Sequence, residues 1–488
     1  MEKKITPLLD NSSNILVYNF SVGLNPSEVR FWEKFRFELR ERGFELFMMG
    51  HFPLREHVDI PYVKLHYGLD ALRYLKDDNT WLNLDQSELK IDEESVLERE
   101  RIWCGTEHSK DQLEARKRAI HIYANFYASV LNTVRPVLSV MWNGTHSQSM
   151  IFNDVCKKAE CPIVYIERGP LVETLFLDEK GILCDSSIAK EPECKWASEG
   201  EAEKWRHAMA EIKKAYQAGK STWWEQPKSI GPENLRKKLG IPSGKKIVMF
   251  AGQVKEDSQS FLYSPNFDDN LKAFKWFCDN LPPDDVFILG KHHPKSKQSV
   301  RDYQKILGTK GIWISNISLD DCLALADRVA AVNSTVLYEA LLMEKPILSM
   351  GSFLLSNRNI AYEVNDLKTG SEVIKQWLAA EDFKTRYEEW MNFGAFLLSR
   401  ALYTSRTDNS LGLNSAPEMA GKVVKMSAKK DSLNYDSLSS FAPMPGLRFM
   451  ELTRYAGARS YLLAEFATKC VEKLKLKGII NFLNKYFS

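Results

Sequence analysis

The loop Gly252-Gln253-Val254-Lys255-Glu256-Asp257-Ser258 follows the apolar run 247–251 (IVMFA) and offers the carboxylate of Asp257 among polar neighbours. In that position Asp257 can attack an anomeric carbon as a nucleophile, and it can equally cap the helix that follows. The loop lacks the G-x-G-x-x-G spacing, so a dinucleotide fingerprint is absent. A second group, Lys291-His292-His293-Pro294-Lys295, follows 286–289 (VFIL) and gathers four candidate cations, which suits a phosphate. His292 and His293 are adjacent at a strand end and point apart, so joint metal ligation is not expected. A third group, Asn333-Ser334-Thr335, opens a helix behind 329–332 (VAAV), where hydroxyls and backbone N–H groups make an anion site or a simple cap. Glu339 lies one turn deeper, in reach of ribose hydroxyls. In the first half, Glu167-Arg168-Gly169-Pro170 places a carboxylate beside a guanidinium, fit for proton transfer near an anionic substrate or for a surface ion pair. Trp142-Asn143-Gly144 is either a turn that admits a ligand close to the backbone or an ordinary turn.

The elements that must position these groups alternate between strand and helix. Residues 15–20 (ILVYNF) form a buried-strand run, 26–42 carry Val29, Trp32, Phe35 and Leu39 on one helical face, and 44–49 form a second strand. Further strands are expected at 137–141 and 163–166, with helical cover between 66 and 135. A polar break at 220–245 precedes a second series of strands at 247–251, 286–289, 313–314, 329–332 and 346–350. The fold class is therefore α/β, with two Rossmann-like domains facing a cleft and additional C-terminal helices. The expected boundaries are 1–225 for an N-terminal Rossmann-like domain, 226–370 for a C-terminal Rossmann-like domain, and 371–488 for a helical return. In the last part, 372–398 reads as one helical stripe and 404–444 as a long loop. Residues 461–487 read as a basic amphipathic helix that can lie on an anionic membrane or pack on protein.

Composition narrows the classes. The 488 residues carry 66 basic and 64 acidic side chains, a net charge of +2 that gives no reason to expect nucleic acid as partner. Eight cysteines show no paired ligand spacing and read as reduced core thiols, so no metal is expected. Neither a signal peptide nor a membrane-spanning run is present, which points to the cytoplasm, with the terminal helix able either to make peripheral contact with the inner face of an inner membrane or to pack on protein.

Taken in order, W-N-G, E-x-G-P-L-x-x-T-x-x-x-D-x-x-G, Q-V-x-x-D-S, H-P and N-S-T-V-x-x-E-A-L, spread over 137–351, resemble the bacterial capsule-polysaccharide synthesis family and its retaining β-Kdo transferases. The resemblance implies a GT-B-like fold that moves Kdo from CMP-β-Kdo to a bacterial surface glycan or glycolipid, with no cofactor beyond the donor substrate. It implies that Asp257 is the covalent nucleophile, that His293 contacts the CMP phosphate, and that Glu167 is acid/base for the acceptor hydroxyl. Gln253, Lys291, Lys295, Asn333, Ser334, Thr335, Glu339 and Arg168 would bind donor, and Asn143 and Gly144 acceptor. Arg168 stands where the family commonly has Asn, and Lys291-His292 where an Arg-containing lead is usual. Other readings are a sialyl- or hexose-phosphate transferase using CMP or UDP, a non-catalytic glycan-binding or export-assembly protein, and a sugar-nucleotide epimerase.

Overall fold

A computed structural model describes residues 13–19, 26–50, 60–64, 89–104, 109–171, 173–191, 193–218, 227–255, 257–282, 286–406, 409–429 and 432–438. Two sheets carry the architecture. The first contains β1 (Ser13–Asn19), β2 (Phe44–Gly50), β3 (Tyr62–Lys64), β4 (Pro136–Trp142), β5 (Ile163–Arg168) and β6 (Thr174–Asp178). The second contains β7 (Lys246–Ala251), β8 (Val286–Lys291), β9 (Gly311–Ile314), β10 (Arg328–Ala331), β11 (Ile347–Ser349) and β12 (Tyr362–Glu363). The chain then returns through helix Phe383–Arg400 and adds β13 (Leu402–Thr404) to the edge of the first sheet, antiparallel to β6.

The second sheet runs β12-β11-β10-β7-β8-β9, all parallel. Counted from its own first strand this is the 3-2-1-4-5-6 order of a doubly wound Rossmann fold. The first sheet, β13-β6-β5-β4-β1-β2-β3, repeats the 3-2-1-4-5 part before turning antiparallel at β6. Two Rossmann-like halves are thus observed, and ligands in such sheets sit beyond the strand carboxyl ends where the order reverses. In the second half that point lies between the loops after β7 and β10, which are the loops that bear Asp257 and Asn333-Ser334-Thr335.

Hydrophobic patterning explains the elements. β4 and β7 are buried almost throughout because helices cover both faces, and this is why each is a continuous apolar run. Helix Pro26–Arg40 buries Trp32, Phe35 and Leu39 against the first sheet, whereas the Val29 side chain lies outside the described residues.

Two expectations are corrected. The stripe over 372–398 is two helices, Gly370–Ala379 and Phe383–Arg400, broken where Ala380 takes φ 51°. The stretch 404–444 is not a featureless loop: β13 opens it, and helix Ala416–Met426 buries Met419, Ala420 and Val423 in the same core as helix Pro26–Arg40. The motif residues Thr174 and Asp178 bound a further strand, β6, that pairs antiparallel with β5. The terminal segment 461–487 lies outside the described residues, and among those described no helix is long and apolar enough to cross a membrane.

Candidate active site

The loop after β7 is shaped by two side-chain amides. Gln253 donates to Asn333 Oδ1 at 3.0 Å and accepts from the Asn333 backbone N–H at 3.0 Å, so the β7 and β10 loops are locked as a reciprocal pair. Asn333 also donates to the carbonyls of Gln259 (2.7 Å) and Ser352 (3.1 Å). Both amides are buried and fully engaged in shaping the loops. Asp257 stands at the start of the short helix Ser258–Tyr263, and its Oδ1 accepts from the Gln259 N–H at 2.9 Å. Its other carboxylate oxygen has no hydrogen-bond partner among the described residues. Burial raises the Asp257 pKa above the ordinary carboxylate value, and the Gln259 N–H opposes that rise.

The turn after β8 is held from behind. Trp313 stacks on Tyr303 with centroids 3.8 Å apart and donates from Nε1 to His292 Nδ1 at 3.1 Å. Gly290 makes room for this ring, since a Cβ there would meet Trp313 at 1.9 Å. His293 Nδ1 accepts from the Lys295 N–H at 3.1 Å, which leaves the ring proton on Nε2. Burial first, then the charges of Lys291, His292 and Lys295, lower the His293 pKa to about 4. The expectation of four cations is therefore corrected. His293 is a neutral N–H donor near neutral pH, His292 is buried with its pKa lowered chiefly by burial, and Lys291 is buried with its ammonium on the His292 carbonyl at 3.3 Å.

One cleft, about 1320 Å³ including its solvent-open space, is lined by Gln253, Asp257, His293, Lys295, Asn333, Ser334 and Thr335 from the second half and by Trp103 and Leu183 from the first. Ser334 Oγ accepts from the Val336 N–H at 3.3 Å, a local cap, and Thr335 is exposed. Lys291, Glu339, Glu167, Arg168, Asn143 and Gly144 are not on this lining. Glu339 is 8% exposed and accepts from the Tyr216 hydroxyl at 2.6 Å, so its carboxylate is turned toward helix Glu199–Gln217. Burial raises its pKa to about 7, with Tyr216 opposing and Asp320 adding.

In the first half, Glu167 at the end of β5 accepts from Asn143 Nδ2 at 2.6 Å. Asn143 and Gly144 take φ 64° and 81°, and a Cβ on Gly144 would meet the Tyr165 ring at 2.6 Å, so the turn needs glycine there. Burial raises the Glu167 pKa, Asn143 and the adjoining Arg168 oppose it, and the Asp257 charge raises it further. That last effect puts the two carboxylates within electrostatic reach of one another. Arg168 is the last residue of β5 and acts here on the electrostatics of Glu167.

Sequence reasoning missed Trp103, Leu183, Gln259, Lys297, Tyr338 and Phe353 on the cleft wall. Lys297 was within reach of the reading, two residues past Lys295. Trp103 and Leu183 carry no local signal, because only the packing of the two halves brings them to the site.

Comparison with known proteins adds the following. Residues 201–379 match the family model described as capsule polysaccharide biosynthesis protein. No curated protein matches the sequence. Among solved structures, the Thermosulfurimonas dismutans KpsC β-Kdo 2,7-transferase is similar at 15% identity and TM-score 0.41, covering 68% of this chain and 95% of that one. The β-Kdo 2,4-transferase of the same protein is similar at 13% identity and TM-score 0.41, covering 59% and 87%. The S. aureus MnaA–UDP structure is similar at 12% identity and TM-score 0.35, covering 85% and 96%. The matched stretch 201–379 holds Asp257, His293, Ser334 and Thr335, and Glu167 lies before it.

Proposed function

We propose that this chain is a retaining glycosyltransferase that moves Kdo from CMP-β-Kdo to a bacterial surface glycan, through a sugar ester on Asp257. The observation that carries the reading is the uncommitted Asp257 oxygen in a two-walled cleft, shared with the His293 N–H donor and within electrostatic reach of Glu167. The capsule-synthesis match over the same half supports the substrate class.

The first step forms a bond from the free Asp257 oxygen to the anomeric carbon. The bond from that carbon to the phosphate oxygen breaks, and the electron pair leaves with CMP. The phosphate is already ionised, so it departs unprotonated, and the His293 N–H with Lys295 stabilises its charge. In the second step an acceptor hydroxyl attacks the same carbon, the carboxylate of Asp257 is released, and Glu167 takes the hydroxyl proton. Two inversions retain the anomeric configuration. A carboxylate base with a raised pKa suits this step, because its proton affinity lies nearer to working pH.

The test is incubation of the full chain with CMP-Kdo and no acceptor, rapid quenching, and peptide mass spectrometry. A Kdo adduct is expected on the peptide carrying Asp257 and on no peptide of Asp257→Asn. Release of UDP from UDP-sugars, with CMP-Kdo untouched, would overturn the proposal.

A further inference from the structure

We infer that Trp103 is the platform on which a pyranose ring of the acceptor glycan stacks, an assignment that rests on the transferase reading above. Trp103 belongs to helix Glu93–Cys104, lines the cleft that holds Asp257 and His293, and is 38% exposed. Most large aromatic side chains of the described residues are buried, and the other cleft-wall aromatics, Tyr338 and Phe353, are 2% and 5% exposed. An indole left this open in a ligand-sized cleft contributes little to the core and has its surface available to a ligand.

Its orientation is fixed from two sides. The His146 ring meets it at 4.7 Å and 76°, and the Phe261 ring at 6.5 Å and 88°. His146 lies three residues beyond Asn143, the partner of Glu167, and Phe261 lies four residues beyond Asp257. Trp103 therefore stands between the loop that holds the candidate base and the helix that follows the candidate nucleophile. Arg99, one turn earlier on the same helix, donates to the Thr145 carbonyl and lies 5.8 Å over the Phe261 ring. It ties the helix of Trp103 to both neighbours, so the platform is braced before any ligand arrives.

The ligand class follows from the surface. One face of a pyranose presents polarised C–H groups and its rim presents hydroxyls, which matches an electron-rich indole face in a polar cleft. Donor recognition belongs to the opposite wall, where His293, Lys295 and the 333–335 loop suit a nucleotide phosphate. A ring on Trp103 comes instead from the first half, with its rim directed to the Glu167–Asn143 side.

The experiment uses the full chain, Trp103→Ala and Trp103→Phe, with fluorescein-tagged β-Kdo and N-acetylglucosamine glycosides as probes in anisotropy titrations. CMP affinity is measured in parallel by calorimetry. Trp103→Ala is expected to weaken glycoside binding by roughly tenfold or more, Trp103→Phe to retain most of it, and CMP affinity to stay within roughly twofold. The platform is overturned if Trp103→Ala binds the glycosides like the parent, if it loses CMP equally, or if the parent binds neither glycoside. Donor turnover is scored separately: failure to consume CMP-Kdo counts against the transferase reading, whereas the glycoside titration decides the platform.

Discussion

Replacing Glu339 by glutamine isolates a buried titration directly behind the cleft. The ordinary glutamate value of 4.5 is raised to about 7, first by burial, with the Tyr216 hydroxyl opposing and Asp320 adding. A raised carboxyl pKa means that the folded protein holds the proton where the unfolded chain has released it. Stability from this group is thus fully present below about pH 4.5 and is lost as pH rises toward 7. The shift corresponds to about 3 kcal/mol in full, of which about 2.5 kcal/mol falls between pH ~5 and ~8. The glutamine carbonyl still accepts from Tyr216 at the place where the carboxylate accepts at 2.6 Å, but nothing titrates. Urea unfolding of both proteins at those two pH values is the assay. Whatever glutamine costs in packing is equal at both, so the wild type should lose about 2.5 kcal/mol relative to the variant on going from pH ~5 to ~8. A difference that stays flat would show that Glu339 is ionised in the folded protein at both values, and the account of its burial would be wrong.

Three further outcomes are expected. In the proposed second step Glu167 must be ionised to accept the hydroxyl proton, and burial with the Asp257 charge raises its pKa, so acceptor-dependent kcat/KM should climb with pH on a limb above the ordinary carboxylate range. Glu167→Gln should remove that limb, and an unchanged pH profile would take Glu167 out of the reaction. Because His293 is neutral and donates through Nε2–H, His293→Gln should hold CMP better than His293→Ala, the latter losing roughly tenfold to a hundredfold; equal losses in calorimetry would mean that charge rather than the N–H is what CMP uses. Gly290→Ala drives a Cβ into Trp313, which holds His292, so it should cost about 1–3 kcal/mol in urea unfolding and weaken CMP binding together. Unchanged unfolding would show that the ring has room to move.

How much of this was legible depended on what each residue's neighbours are. The strands 247–251 and 286–289 were readable because burial on both faces makes them unbroken apolar runs. β13 was not, since three residues carry no periodicity and exist as a strand only by pairing with β6. Helix Ala416–Met426 had a readable signal that composition masked. Ser415 and Glu418 form a capping box, and Ala416, Met419, Ala420 and Val423 have helical spacing. In the candidate site, residue types pointed to Asp257, His293 and Ser334, which the fold gathers in one cleft. The charge of His292 misled, because the ring is covered by Trp313 and Tyr303, from a different strand and helix, and that of Lys291 misled because the side chain is buried with its ammonium on the His292 carbonyl. Glu339 misled likewise, since Tyr216 lies more than a hundred residues earlier.

A capping and a reacting role for Asp257 are compatible once its two oxygens are considered separately. Oδ1 accepts the Gln259 N–H at 2.9 Å and fixes the plane of the carboxylate, which leaves the second oxygen free for the sugar. The helix it begins is itself anchored to both halves: the Tyr263 hydroxyl donates to Asp185, and the Tyr263 carbonyl accepts from the Ser352 N–H at 2.7 Å. A cap in this place would orient the proposed reacting group as well as the helix. Asparagine keeps the capping oxygen and removes the negative charge, whereas alanine removes both. Asp257→Asn should unfold within about 0.5 kcal/mol of wild type and Asp257→Ala about 1 kcal/mol earlier, as for other lost caps. Both should lose transfer to the same extent, because the sugar ester requires a carboxylate. If asparagine at 257 transferred Kdo at the wild-type rate, the carboxylate would be a cap alone and the two-step chemistry would have to be abandoned.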